Sequence, residues 1–301
     1  MTTRAVCLLD DLGTLRFQGP DTRTFLQGQL SNDLSALQPG SLLRAGLHNP
    51  QGRTLALLML AAAGGAEELL ALLPRELLAS VATTLKRYVL RAKVRISDVT
   101  VEHAIFGVTG VESHRAAPTA SGSAATAILG GYAQDRGLLI VPCADPTPSG
   151  TMLSRSDWRA LDIAAGLPQV YQSTSGQFVA QMLNLDCIDA VSFNKGCYTG
   201  QEVIARAHYR GRVKRRMQRF LSNDPLQLAA GDSGQLADGR SFRVVDALAH
   251  ADGRCEFLAV AAFDGTAADA EGGTEAAASA SASLASRISA QPLPLPYALP
   301  A

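Results

Sequence analysis

Two apolar runs in close succession, Arg53 to Leu60 and Glu67 to Leu73, constrain this chain more than any other feature. Gly64-Gly65 joins them, and each has the length and composition of a buried strand. Pro74 then opens a helix with Leu77, Leu78, Val81, Leu85, Tyr88 and Val89 on one face. Lys93 to Ser97 and Val101 to Val108 return as strands. The order strand, strand, helix, strand predicts an antiparallel sheet with a helix on one face. Upstream, Leu15 to Gln18 predicts another strand, and Gly19-Pro20-Asp21 a helix start. Proline suits a first helical turn, and aspartate suits the positive end of the helix dipole. Phe25, Leu26 and Leu30 then face the core, whereas Gln27, Gln29, Ser31, Asn32 and Asp33 end the helix in an unusually polar way. A solvated turn and a ligand contact explain that polarity equally well.

Ala116 to Thr126 reads as a loop, Gly137 to Pro142 as a strand, and Ser154 to Gly166 as a helix with Trp158, Leu161 and Ala165 on one face. Gly166-Leu167-Pro168 closes that helix in the expected glycine-then-proline manner. Past Asn223-Asp224-Pro225 the pattern changes to short strands, such as Phe242 to Asp246 and Glu256 to Ala262, between Asp-Gly turns. That pattern predicts a small β domain. Residues 265–283 are almost all small or acidic and bury too little to order themselves, so a flexible segment is expected there. Pro292 to Pro300 is expected to dock back as an extended tail.

Lys plus Arg and Asp plus Glu are equal at 27 each, so overall charge demands neither nucleic acid nor an anionic membrane. Five cysteines, none in a C-x-x-C pair, argue for reduced thiols and against a disulphide framework or a zinc ribbon. The first residues lack the apolar stretch of a signal peptide. The longest apolar run, Leu55 to Ala63, falls short of the roughly 20 residues that span a bilayer. The expectation is a soluble cytoplasmic protein without membrane contact.

The chemistry concentrates in Lys195-Gly-Cys-Tyr-Thr-Gly-Gln-Glu202. Thr199 to Glu202 has capping-box spacing, which predicts a helix from Thr199 to about Gly211. Glu202 and Arg206, four apart, are placed to pair on its surface. Cys197 then lies just before a helix N-terminus and two residues from Lys195, and both influences favour the thiolate. Gly196 and Gly200 leave room for a ligand to approach the backbone. A small residue packed beside a tight turn explains Cys197 about as well as a reactive thiol does. Downstream, Arg206, Arg210, Arg212, Lys214, Arg215, Arg216 and Arg219 put seven cations in 14 residues, with no acid between Val203 and Asn223. A polyanion partner and a charge-protected strand edge are equal readings of that run.

The segment from Lys195 to Glu202, followed by Ala205-Arg206, Gly211 and Lys214-Arg215, resembles the signature of the YgfZ family, which is related to the glycine-cleavage T-protein, an aminomethyltransferase. Phe25 to Asp33, Asn49-Pro-Gln-Gly-Arg53, Trp158 to Pro168 and Ser175-Gly-Gln-Phe178 support the likeness, which covers residues 10–220 approximately. The resemblance implies an α+β fold built as a T-protein-like ring of modules. Two α+β modules with antiparallel sheets would occupy residues 1–222, with an inserted ferredoxin-like module at about 51–148, and a β-barrel domain would occupy 223–301. It implies tetrahydrofolate or a derivative as ligand, with Lys195, Gly196, Tyr198, Gly200, Gln201, Glu202 and Arg206 holding it and Cys197 in a redox or sulphur role. It also implies a part in assembling or repairing iron–sulphur clusters, with iron–sulphur clients as partners and any tRNA contact indirect.

Two departures bear on activity. T-proteins carry a catalytic aspartate soon after a Gly-Gly turn, and the matching stretch from Gly52 to Leu58 has no carboxylate. Ala164 stands where a pterin-binding glutamate is expected. The first departure argues against aminomethyl transfer and against conventional turnover. Three rivals remain. A one-carbon transferase needs an acid or base that the sequence does not show. An RNA-binding module using 206–219 needs aromatics among its cations, and His208 and Tyr209 are thin support. A resident iron–sulphur cluster needs about four thiolates, where the motif supplies one.

Overall fold

The computed structural model describes residues 4–62, 67–111, 128–133, 135–145, 148–211, 213–263 and 283–300. The Gly64-Gly65 joint, the loop at 116–126 and nearly all of the segment expected to be flexible lie outside them. The architecture is α+β, with two compact units. The first comprises Met1–Leu47, Ala56–Trp158 and Ala190–Thr199, and the second His48–Leu55, Arg159–Asp189 and Gly200–Ala301. Among the described residues, no helix is long and apolar enough to cross a membrane.

The first unit is built on β1 (Ala5–Leu8), β2 (Leu12–Gln18), β3 (Leu42–His48), β4 (Thr54–Ala62), β5 (Glu68–Pro74), β6 (Arg95–Asp98), β7 (His103–Thr109), β8 (Ile128–Ala133), β9 (Arg136–Pro142) and β10 (Thr151–Met152). They form two five-stranded sheets, ordered β3-β4-β5-β2-β6 and β10-β1-β7-β9-β8. In the first sheet β4 pairs antiparallel with β5, and β5 and β6 flank β2 antiparallel, as the strand order predicts. Helix α1 (Thr22–Gln27) buries Phe25 and Leu26. After a 3-10 turn at Arg75–Leu77, helix α2 (Leu78–Lys86) buries Leu78, Val81 and Leu85. The helix stops at Lys86, so Tyr88 is left exposed and not on the buried face.

Residues 51–148 supply β4 to β9. Their strands are divided between both sheets, and each sheet also takes strands from outside that range. In particular, β2 pairs over its whole length with β5, and both strands are mostly buried.

The second unit carries β11 (Arg215–Ser222), β12 (Ser233–Leu236), β13 (Ser241–Ala249), β14 (Cys255–Ala262), β15 (Ser283–Ile288) and β16 (Gln291–Leu293). They form one half-barrel sheet ordered β15-β12-β13-β14-β11-β16. This sheet starts earlier than residue 223: β11 pairs with β14 from Arg215 to Ser222. Phe257 packs between Phe220 and Phe242, with ring centroids 5.4 and 5.7 Å away. The tail docks as expected, with β16 on β11 and the Tyr297 hydroxyl donating to the Gly166 carbonyl at 2.7 Å.

Helix α3 (Arg155–Ala164) runs across the division between the units. Trp158 and Ile163 are buried, whereas Leu161 is exposed, so the buried face is not the one that the spacing suggested. Gly166, at φ +63°, ends the helix. Helix α4 (Gln201–Tyr209) completes the set.

Candidate functional site

The segment Lys195–Glu202 crosses from one unit to the other between Thr199 and Gly200, so its two halves are described in turn.

In the first unit, α1 ends at Gly28 and the chain continues without regular structure, turning backbone carbonyls inward. Carbonyls beyond a helix C-terminus have no intrahelical partner and attract cations. Lys195 answers them: its Nζ donates to Gln27 O and Leu30 O at 2.6 Å each and to Asn32 O at 2.9 Å. Those are the three donors that an ammonium has. The ring of Tyr198 lies 5.1 Å from Nζ, within cation–π range. Burial brings the Lys195 ammonium down to about 8, and the charge of Asp33 opposes the shift. Burial also pushes the Tyr198 phenol up to about 12.

The polar end of α1 supports this cage. Gln27 donates to Asp33 Oδ1 at 3.1 Å and accepts from the Leu34 N–H at 2.8 Å. Ser31, fully buried, donates to Ala190 O and accepts from the Gly46 N–H, both at 2.8 Å. Asn32 donates to Arg44 O at 2.7 Å. The Ser35 N–H is the first cause holding the Asp33 carboxyl below the usual carboxylate range. These side chains are framework, which neither reading of the polar helix end anticipated. Cys197 is exposed, and Gly196 has open space where a Cβ would stand.

In the second unit, the capping box does not form. Gly200 is the N-cap of α4 in the left-handed conformation, φ +82°, and no side chain caps the helix. A Cβ on Gly200 would lie 2.5 Å from Asn49 O, so only glycine fits this approach. The turn it meets is closed by Asn49, whose Oδ1 accepts from the Arg53 N–H at 2.9 Å. Helix α4 starts at Gln201 and ends at Tyr209, and Gln181 Nε2 donates to Ile204 O at 2.7 Å. Gln201 is half-buried; Glu202 and Arg206 are exposed and form no ion pair with each other. Two flexible side chains on a solvated face gain little from pairing.

Three of the seven cations of the basic run are engaged within the protein. Arg216 is buried and grips both oxygens of Asp186 at 2.9 Å, with Gln181 O at 3.0 Å. Arg219 pairs with Glu256 at 2.6 Å, and Arg215 donates to Ser241 O at 2.8 Å. Arg212 lies outside the described residues, and Arg206, Arg210 and Lys214 are the exposed described cations of the run. His208 and Tyr209 meet edge to face at 4.8 Å, with Tyr209 66% exposed.

Sequence reasoning missed His48 and Cys187. His48 is 2% exposed, with Nδ1 3.3 Å from Thr54 Oγ1, and burial drives the imidazole down to about 3. The apolar strand β3 that ends on it was the available signal. Burial, then the neighbouring Asp186, push the Cys187 thiol up to about 11 against the opposing charge of Arg216.

For a folate, the fit is divided. Arg206 and Arg210 are exposed cations suited to an acidic tail. An aminopyrimidine edge wants a carboxylate, and three well-buried ones of this unit are engaged elsewhere. Asp186 holds Arg216, Glu256 holds Arg219, and Asp246 holds Arg159 and accepts from Tyr171 Oη at 3.1 Å. Glu202 is the exposed carboxylate of the motif. Of the groups that a folate would need, this unit therefore offers exposed cations, whereas these three buried carboxylates are committed within the protein. Among the described residues, no three His, Cys, Asp or Glu side chains gather to hold a metal ion.

No family model matches the chain. It is 31% identical to the tRNA-modifying protein YgfZ of Klebsiella pneumoniae over 255 residues, 78% of this chain and 77% of that one. With the tRNA-modifying protein YgfZ of Edwardsiella ictaluri the identity is 32% over 285 residues, 85% and 84% of the two chains. Among solved structures, the glycine cleavage system aminomethyltransferase T of Bartonella henselae superposes with a TM-score of 0.65 at 14% identity, covering 86% of this chain and 78% of that one. That likeness shows a T-protein fold.

Proposed function

The chain belongs to the YgfZ family of tRNA-modifying proteins, and from that premise we propose that it is a folate-binding accessory protein for iron–sulphur cluster assembly or repair and for the tRNA modification that depends on such clusters. The observation that carries the proposal is the exposed Cys197 on a segment anchored by the Lys195 carbonyl cage. A packing cysteine is normally buried, so exposure beside such a tether favours a thiol that meets a partner. Cys197 is the reacting group in this reading. Gln201, Glu202 and Arg206, all in the second unit, are the proposed folate contacts. Iron–sulphur proteins are the partners, and contact with tRNA is indirect.

Aminomethyl transfer is disfavoured. The turn at Gly52 leads into Arg53, whose guanidinium donates to Gln177 O at 2.8 Å, and no carboxylate stands there to act as base. An RNA-binding role draws on Arg206, Arg210 and Tyr209, but Arg215, Arg216 and Arg219 are engaged within the protein.

Two measurements test the proposal. Tetrahydrofolate titrated into the full chain is expected to bind weakly or moderately by calorimetry, without one-carbon transfer. In cells lacking the native copy, Cys197→Ser is expected to fail to restore an iron–sulphur enzyme that the parent restores. Equal restoration at equal abundance would reduce Cys197 to packing and sink the reading.

A further inference from the structure

Lys195 presents an anomaly. A lysine ammonium is strongly hydrated, and its flexible stem normally keeps it in water. Here it has exchanged water for three backbone carbonyls, at 2.6, 2.6 and 2.9 Å. Three acceptors match the three donors of a primary ammonium, and the Tyr198 ring at 5.1 Å forms a further wall. A planar guanidinium, with five donors in a fork, does not fit such a cage. No donor is left over for a ligand.

The position of the cage in the chain gives it meaning. Lys195 lies two residues before Cys197 and the buried Tyr198 one residue after, so both feet of a short arch are tied down. Between them, Gly196 and Cys197 face open space. One acceptor, Gln27 O, is on the last residue of α1 and the other two, Leu30 O and Asn32 O, lie past its end, so the ammonium ties the helix terminus to the segment that follows it. We infer that Lys195 is a positioning residue: its ammonium, held by the carbonyls of Gln27, Leu30 and Asn32, fixes the arch that presents the Cys197 thiol, and it does not contact the folate. This deepens the proposed role of Cys197 and rests on it for function, whereas the clamp itself is independent of that role. Burial disfavours the ammonium's charge, and the negative charge of Asp33 opposes that effect.

The test is amide hydrogen exchange by mass spectrometry on the full chain, comparing the parent with Lys195→Ala. Exchange in peptides covering 27–33 and 192–200 is expected to rise by about tenfold or more, while β14 keeps its protection. n-Propylammonium replaces the missing stem and charge and is expected to restore protection, whereas tetramethylammonium, which has no N–H donor, is not. A merely structural lysine would show no such selective rescue. Exchange within about twofold of the parent in both peptides would overturn the inference. Should the alanine chain fail to fold, Lys195→Met keeps the packing of the stem and serves in the same comparison. Tetrahydrofolate affinity of Lys195→Met is expected to stay within about threefold of the parent. A loss of about tenfold with unchanged exchange would instead make Lys195 a ligand contact and overturn the inference. If the parent binds no tetrahydrofolate at all, the functional reading fails while the exchange result still decides the clamp.

Discussion

The two units each withdraw a cation from water, and they compensate it differently. In the second unit, Arg216 is neutralised by a carboxylate, Asp186, in a two-pronged ion pair. In the first, Lys195 is held by neutral carbonyls and a ring face. The two arrangements fail differently when the cation is removed. Removing one member of a buried ion pair strands a charge, so such a pair commits the fold. Removing a cation from a carbonyl cage strands dipoles and no charge, so the cage can fix a local arch at a smaller cost to the unit. His48 shows a third solution, in which burial keeps the group neutral.

The largest effect is expected at the ion pair. Arg216→Met should cost about 3–5 kcal/mol in chemical denaturation, because Asp186 is left buried and unpaired. Adding Asp186→Leu should recover most of that loss. If the double variant is no better than the single, the pair is not what commits the second unit, and the contrast with Lys195 collapses.

The next effect follows from His48. Its folded value near 3 lies below the ordinary 6.5, so between those values the unfolded chain binds the extra proton. Stability is therefore complete above 6.5 and falls as pH drops toward 3. The slope is at most about 1.4 kcal/mol per pH unit. Denaturation of the parent and His48→Gln at pH 7 and pH 5 checks this: the gap between the two should narrow at pH 5. An unchanged gap would mean that His48 already carries its proton in the fold.

Lys195→Met is expected to cost less than the broken ion pair, about 1–3 kcal/mol, since no charge is stranded. Thermal unfolding of the two single variants side by side sharpens the comparison. A Lys195→Met loss equal to that of Arg216→Met would show that the cage commits the fold as the ion pair does.

Cys197→Ser should change stability least, within about 0.5 kcal/mol, because the site is exposed. Its effect should fall on iron–sulphur enzyme activity in cells. A large stability change would place the thiol in the packing of the arch.

Much of this was legible in the sequence where neighbours along the chain decide the outcome. The hairpin of β4 and β5, the helix after Pro74 and the glycine end of α3 follow from local periodicity and turn chemistry. The signature around Cys197 marked the family. Reading failed where a residue distant in sequence competed for the same group. The capping box at Thr199 is locally sound, yet Gly200 caps the helix in the left-handed conformation, close against Asn49 and Gly52. Seven cations look alike in a row, but alternation along β11 and the positions of Asp186 and Glu256 turn some of them inward.

Local pattern along the chain, then, carried the element types and the antiparallel pairing of the first sheet, because backbone propensity and burial periodicity act over a few residues, whereas the exposure of Cys197 did not follow from it. Only the tertiary structure decided that β11 joins the last sheet, that strands from 51–148 serve two sheets, and that Lys195 spends its charge on Gln27, Leu30 and Asn32. Each of those outcomes depends on satisfying a buried polar group or strand edge with a partner far along the chain, and no local pattern encodes which partner arrives.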